Sequence, residues 1–338
     1  MTRWGVIGTG GIASSFVTDL RLLPDAEVVA VGSRRQATAD DFAERFDVPG
    51  RHSSYPALVE DPDVDAVYVS TPHPGHFAAS MLAIEAGKAV LCEKPFTRNA
   101  AEAAELVDAA RDRGVFLMEA MWTRFLPHVV RVRELLTEGV LGDVRTVQAD
   151  HGQWFRHDPE HRLLNPALGG GALLDLGVYP VSFASMVLGP PTRVAAVSAA
   201  ASTGVDAQTS MLLEHSGGRH AVLTTTLQAR SPNRAAIVGT DARIEIDATW
   251  YAPTTFTVVS RDGTVLERYD EAHAGGGLRH QAAEVARCLA AGLLESPVLP
   301  LDESISVMTT LDEVRRQIGL VYPSERPLDA AQSDVSMS

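Results

Sequence analysis

With 29 basic against 43 acidic side chains and a formal net charge of −14, this 338-residue chain, of pI near 5.2, is a poor fit to nucleic acid as main partner. Its two cysteines, Cys92 and Cys288, exclude a disulfide framework and a thiolate metal site, and Cys92 reads as a strand core residue. The length suggests two domains, and the longest charge-free stretches, 66–84 and 176–192, are broken by Pro, Gly and polar groups, so no membrane span is expected. No signal peptide is expected ahead of the first strand, which makes the cytoplasm the expected compartment.

In chain order, residues 3–7 read as a short apolar strand, followed at once by Gly8-Thr9-Gly10-Gly11-Ile12-Ala13, the pattern G-x-G-x-x-A. Segment 12–22 has helical spacing, with Ile12, Phe16 and Leu20 four apart and Val17 and Leu23 beside them. Glycines there let the backbone approach a pyrophosphate, whose charge meets free N–H groups at a helix N-terminus. The bland alternative is an ordinary strand-to-helix turn. A second strand, 27–31, ends in Gly32-Ser33-Arg34-Arg35. No acid lies between Val28 and Thr38 to take the ribose hydroxyls of NAD, whereas Ser33, Arg34 and Arg35 suit a 2′-phosphate. NADP is therefore expected, with NAD possible. Otherwise Ser33 caps the next helix, with Gln36 three residues on, and both arginines lie in solvent.

Strand 64–69 ends in Ser70-Thr71-Pro72-His73-Pro74-Gly75-His76. His73 and His76 flank a loop expected to face the nicotinamide half of the cofactor; either they touch it or local hydrogen bonds hold them. Helix 77–86 leads to the apolar run 89–92 and to Glu93-Lys94-Pro95. That tripeptide puts an ammonium at the carboxyl end of a buried strand, the edge where open parallel sheets bind ligands. Packing explains it poorly, because Lys is almost never fully buried unless paired. Helix Ala100–Arg113 then precedes the run 115–118. Strand and helix alternating over roughly 120 residues argue for an α/β fold with a doubly wound parallel sheet.

The second half has another texture. Helical patterns at 127–138 and 173–188 frame a strand at 144–151. Short strands follow at 194–199, 209–214, 220–228, 236–238, 244–246, 254–260 and 264–268, separated by turns such as Arg261-Asp262-Gly263, which suggests a mostly antiparallel sheet. Helices are expected at 278–293 and 302–319, then a loose polar tail after Pro323; Gly275-Gly276-Gly277 reads as a flexible connector or a loop near the site mouth. After Gly169-Gly170-Gly171, Asp175 and Tyr179 are four apart and share one face of a helix. Alone they equally suit a cap and an aromatic packer. His151, His157 and His161 tempt a zinc reading, but no ligand set closes a tetrahedron, and no metal is expected. The loop that holds them, with Trp154 and Phe155, is expected to line a substrate pocket suited to a polyhydroxylated ring.

The glycine turn, Ser70-Thr71-Pro72, Glu93-Lys94-Pro95 and Asp175-x-x-x-Tyr179 together resemble the glucose–fructose oxidoreductase / inositol dehydrogenase / MocA family of NAD(P)-dependent oxidoreductases, from Arg3 to about Val321. The segments 118–125 and 170–179 are most similar to its dimeric dihydrodiol dehydrogenase / NADP-dependent D-xylose dehydrogenase branch. The resemblance implies a Rossmann domain over 1–122 and an α+β substrate and dimerisation domain over 123–338 with a large open sheet. A homodimer or a dimer of dimers follows. It implies that Lys94 is the catalytic lysine with a cis bond to Pro95, that Trp122 and Arg124 lie near nicotinamide and substrate, that Asp175 sits beside the substrate, and that Tyr179 holds the acid/base position. Many sugar and inositol dehydrogenases of the family have His at that last place, so Tyr179 leans toward the dihydrodiol/xylose branch.

Oxidising a hydroxyl needs a hydride acceptor, which the cofactor supplies, and a proton acceptor, which the protein must supply. A free tyrosine, with pKa about 10, is a poor base near neutrality, but an ammonium close by stabilises its phenolate. Lys94 suits that part, with Asp175 orienting the lysine or a substrate hydroxyl; the swapped roles are equally compatible. The expected substrate is a sugar, cyclic polyol or trans-diol. A sugar oxidoreductase that retains and recycles its cofactor, and a non-catalytic NADP-binding sensor, remain as rivals.

Overall fold

The computed structural model describes residues 1–323 and Glu325. The tail expected to be loose beyond Pro323 otherwise lies outside the described residues. The chain divides into two compact units, Met1–Leu126 with Ala272–Ile305, and Pro127–Glu271 with the described residues from Ser306 onward.

In the first unit β1 (Thr2–Ile7), β2 (Ala26–Gly32), β3 (Gly50–His52), β4 (Ala66–Val69), β5 (Ala89–Glu93) and β6 (Leu117–Ala120) form a parallel sheet in the order β3-β2-β1-β4-β5-β6. This is the doubly wound order, spreading both ways from β1. Strands β4 and β5 are buried along their whole length, which is why they read as unbroken apolar runs. The connecting helices are α1 (Gly11–Leu20), α2 (Gln36–Phe46), α3 (Tyr55–Val59), α4 (His76–Glu85) and α5 (Ala100–Arg113). Helix α5 keeps its expected bounds because both ends are signalled: the Asn99 side chain accepts the Glu102 N–H at 2.9 Å, and Gly114 closes the last turn at φ 63°.

The second unit opens with α6 (Pro127–Thr137) and β7 (Val144–Gly152), then α7 (Val178–Leu188), β8 (Pro191–Ala200), β9 (Asp206–His215), β10 (Arg219–Thr226), β11 (Ala235–Gly239), β12 (Ala242–Ile246), β13 (Phe256–Ser260) and β14 (Val265–Tyr269). The eight strands run β14-β13-β12-β11-β7-β10-β9-β8, antiparallel except for β7 with β10. The segment Pro166–Leu188 is apolar and long enough to cross a membrane, yet 89% of its apolar window is buried, so it serves as a core segment. Two more helices, α8 (Arg279–Ala290) and α9 (Leu301–Ile318), follow. Ahead of α8, the triglycine is no loose connector: Asp19 on α1 accepts the N–H groups of Gly276 and Leu278 at 2.7 and 2.6 Å.

Candidate active site

In the first unit, the carboxyl ends of β1, β2, β4 and β5 carry the expected cofactor residues. Gly8 sits at φ 103°, and a Cβ there would meet the Ser70 Oγ at 2.8 Å and the Ser70 carbonyl oxygen at 2.9 Å. Only glycine lets β1 pass this close to the end of β4. Ser70 in turn donates to the Ile7 carbonyl at 2.8 Å. Gly10 is the N-cap of α1 and offers no side-chain cap, and a Cβ at Gly10 or Gly11 would meet nothing within 4 Å. Thr9 completes the turn. An open, uncapped helix N-terminus without acids in its first turn fits a phosphate group. Ile12, expected to stack with Phe16, is 39% exposed on this open side; Ala13 takes the buried place. Beneath the turn, Phe16 stacks on Tyr68 at 3.8 Å and meets Trp4 edge-on.

At the end of β2, Ser33 is buried while Arg34 and Arg35 are exposed. The N-cap of α2 is Arg35, without a side-chain cap bond, so Ser33 does not cap that helix.

Lys94 is half-buried, and the Lys94–Pro95 bond is cis. Its strap of backbone is held group by group. The Glu93 carboxylate accepts the Tyr68 hydroxyl at 2.5 Å and the Lys94 N–H at 3.1 Å. His76 places Nδ1 2.8 Å from the Pro95 carbonyl and Nε2 2.9 Å from the Thr71 carbonyl. Burial, then the charge of His73, drives the His76 pKa down to about 3, so the neutral ring donates to one of these carbonyls at a time. Glu119 accepts the Phe96 N–H at 3.2 Å and the Ser304 hydroxyl at 2.8 Å, and burial pushes its pKa up to about 7. Glu93, a candidate for the cofactor, and His76, read as touching it or held by local hydrogen bonds, both brace the Lys94 strap; His73 and Thr71 are buried beside Pro72. Trp122 is half-buried in the 3₁₀ turn Trp122–Phe125. Arg124, expected to reach nicotinamide and substrate, is buried with its guanidinium on Glu303 at 2.6 Å.

In the second unit, Asp175 lies in a π-helical turn, Leu173–Gly177, that precedes α7. The wider turn modifies the expected one-face alignment of Asp175 with Tyr179, and such turns are frequent at functional sites. Two residues that no local signal marked set this turn. Arg162 pairs with Asp175, Nη1 to Oδ1 at 3.0 Å. Asp206, buried, accepts the Leu173 N–H at 2.8 Å and the Thr209 hydroxyl at 2.7 Å, and burial pushes its pKa up to about 7. A Cβ at Gly171, φ 122°, would fall 2.2 Å from Asp206 Oδ1, which is what the glycine run accommodates. Tyr179 is buried and meets the rings of His151 and Tyr251 at 5.0 and 5.4 Å. Trp154 is 66% exposed, and Phe155 stacks on His161. The three histidines go separate ways, His151 to Gln153 and His157 to Ser202, and no group of three or more His, Cys, Asp or Glu among the described residues is arranged to hold a metal ion.

A doubly wound sheet with an open, uncapped glycine turn after its first strand is the arrangement of a dinucleotide-binding domain. Residues 2–121 match the model of the oxidoreductase family with an NAD-binding Rossmann fold, and residues 129–245 match the GFO/IDH/MocA C-terminal domain. The chain belongs to this family, and it is a dehydrogenase acting on CH–OH groups. It is 41% identical to the trans-1,2-dihydrobenzene-1,2-diol dehydrogenase of Bos taurus over 334 residues, 96% of this chain and 99% of that one. The Homo sapiens enzyme of the same name is 40% identical over 332 residues, with the same coverage. Among solved structures, the 3-ketoreductase KijD10 from Actinomadura kijaniata, with NADP and TDP-benzene, matches with TM-score 0.82 at 32% identity, covering 94% of this chain and 98% of that one. The aldose–aldose oxidoreductase from Caulobacter crescentus, complexed with glycerol, matches with TM-score 0.85 at 26% identity over 94% and 97%.

Proposed function

We propose that this protein is an NADP-dependent dehydrogenase that oxidises one hydroxyl of a trans-diol, cyclic polyol or sugar, with Lys94 and Tyr179 handling the proton. The observation that carries the reading is Lys94 itself: a lysine at the carboxyl end of a wholly buried strand, its N–H held by Glu93 and the next two residues, Pro95 and Phe96, held by His76 and Glu119. Gly8, Gly10, Gly11 and the first turn of α1 would hold the pyrophosphate, and exposed Arg34 and Arg35 would take a 2′-phosphate. The nicotinamide supplies the hydride acceptor. Tyr179 accepts the hydroxyl proton, the Lys94 ammonium stabilises its phenolate, and Asp175, fixed by Arg162, orients a substrate hydroxyl. The trans-diol class is supported by the full-length dihydrodiol dehydrogenase relatives.

A second reading, a sugar oxidoreductase that recycles a retained cofactor, is favoured by the structural likeness to the aldose–aldose oxidoreductase. We also infer a homodimer. Leu212 and Val222 are paired across β9 and β10, Val197 lies on the same face by register, and these three are 50%, 45% and 72% exposed.

The test is NADP and NAD reduction, followed by absorbance, across pentoses, hexoses, inositols and trans-diols. Turnover of a diol or sugar with NADP added in solution supports the first reading. Purification with bound nucleotide and no need for added NADP supports the second.

A further inference from the structure

Strand alternation places His151 on the inner face of β7 with Val147 and Ala149, opposite the buried Thr225 of β10. Its ring is stacked on Tyr251 at 3.7 Å and 27°, and stands edge-on to Tyr179 at 5.0 Å and 74°. The Gln153 Nε2 lies 3.0 Å from His151 Nε2 and 3.3 Å from the Tyr251 hydroxyl. With the Gln153 amide N–H as donor, His151 Nε2 is the acceptor and the ring proton sits on Nδ1. Tyr251 is fixed in turn. The adjoining Trp250 is wholly buried, its indole N–H donates to the Asp150 carbonyl at 2.7 Å, and its backbone N–H donates to the Asn233 carbonyl at 3.1 Å.

We propose that His151 is a positioning residue for Tyr179: tethered by Gln153 and stacked on Tyr251, it sets the plane of the Tyr179 ring and hence where the phenol oxygen receives a proton. The inference rests on Tyr179 as proton acceptor, and acts through that residue alone. Tyr251 is itself acted on by Tyr179, Arg230 and Asp150, and Tyr179 in the proposed mechanism also answers to Lys94 and to Asp175 in the turn before α7. Replacing the imidazole by a phenyl keeps the bulk and the stack but removes the tether and a polar neighbour of the phenolate. That displaces the ring and disfavours its ionised form.

The experiment compares wild type, His151→Phe, Gln153→Leu and Tyr179→Phe in two measurements. The first is kcat and KM for NADP reduction with trans-1,2-cyclohexanediol. His151→Phe should lower kcat about tenfold to a hundredfold, as a misplaced acceptor does, with KM for NADP unchanged; Gln153→Leu should follow in the same direction. The second needs no substrate: tyrosine ionisation is titrated by ultraviolet absorbance, and subtraction of the Tyr179→Phe curve isolates that phenol. Its midpoint should rise by about half a unit or more in His151→Phe, read at pH values where far-ultraviolet circular dichroism shows the variant folded, because unfolding alone would also return a phenol toward its ordinary value. Wild-type kcat together with an unmoved midpoint in both His151→Phe and Gln153→Leu would overturn the proposal. Wild-type kcat in Tyr179→Phe would instead overturn the proton-acceptor reading on which it rests.

Discussion

Lys94 and Arg34 show two ways in which a cation serves a site. Lys94 is presented by a backbone fixed at successive peptide groups, whereas Arg34 projects from the end of β2 into solvent. Their substitutions should therefore read out differently. Arg34→Ala should weaken NADP about tenfold or more and NAD less than twofold, because it removes a partner for the 2′-phosphate alone. Nucleotide titration by fluorescence decides, and equal losses would return Arg34 to a solvated surface. Arg162 is the residue most remote from any sequence signal. It lies 13 positions from Asp175 in an irregular loop, so neither helical nor strand spacing connects them. Arg162→Ala removes a charged partner of the buried Asp175 carboxylate, and the expected loss is tenfold or more in kcat/KM for substrate, with NADP affinity kept. A loss confined to NADP affinity would contradict the role.

Among elements, the glycine turn separates fold from function most cleanly. Gly8→Ala meets the Ser70 backbone at a positive φ and should cost several degrees of Tm as well as nucleotide binding. Gly10→Ala meets nothing in the protein and has an ordinary φ of −77°, so Tm should hold while NADP affinity falls. Equal affinity in Gly10→Ala and wild type would remove the pyrophosphate from this turn. The strand–helix alternation of the first unit was legible because buried parallel strands are apolar throughout and their helices carry caps, as Asn99 and Gly114 do for α5. What escaped is short or set by distant contacts. Strand β3 and helix α3 span three and five residues, too few for periodicity, and β3 is held by pairing with β2. The π turn at Asp175 depends on Asp206, 31 residues on, and the pinning of the triglycine on Asp19, more than 250 residues back.

At the scale of the whole molecule, each unit hides a carboxyl group whose pKa burial raises to about 7, Glu119 in the first and Asp206 in the second. Their ordinary values are 4.5 and 3.8, so the folded protein keeps these protons over a range in which the unfolded chain releases them. The stability they contribute is full below about pH 4 and is lost as pH rises through 7, on the order of 3 to 4 kcal/mol each. Carboxylates with lowered values, such as Asp65 beside Arg3, act below this window. Glu119→Gln and Asp206→Asn should each flatten the fall of Tm between about pH 5 and 8, by differential scanning calorimetry; unchanged slopes would contradict the assignment. The measurement that bears most directly on the whole account is turnover of Lys94→Ala beside wild type, with NADP affinity determined on the same samples. The account predicts a kcat lowered about a hundredfold or more, the scale of positioned proton transfer, with NADP affinity within about threefold of wild type. Wild-type turnover in Lys94→Ala would contradict it.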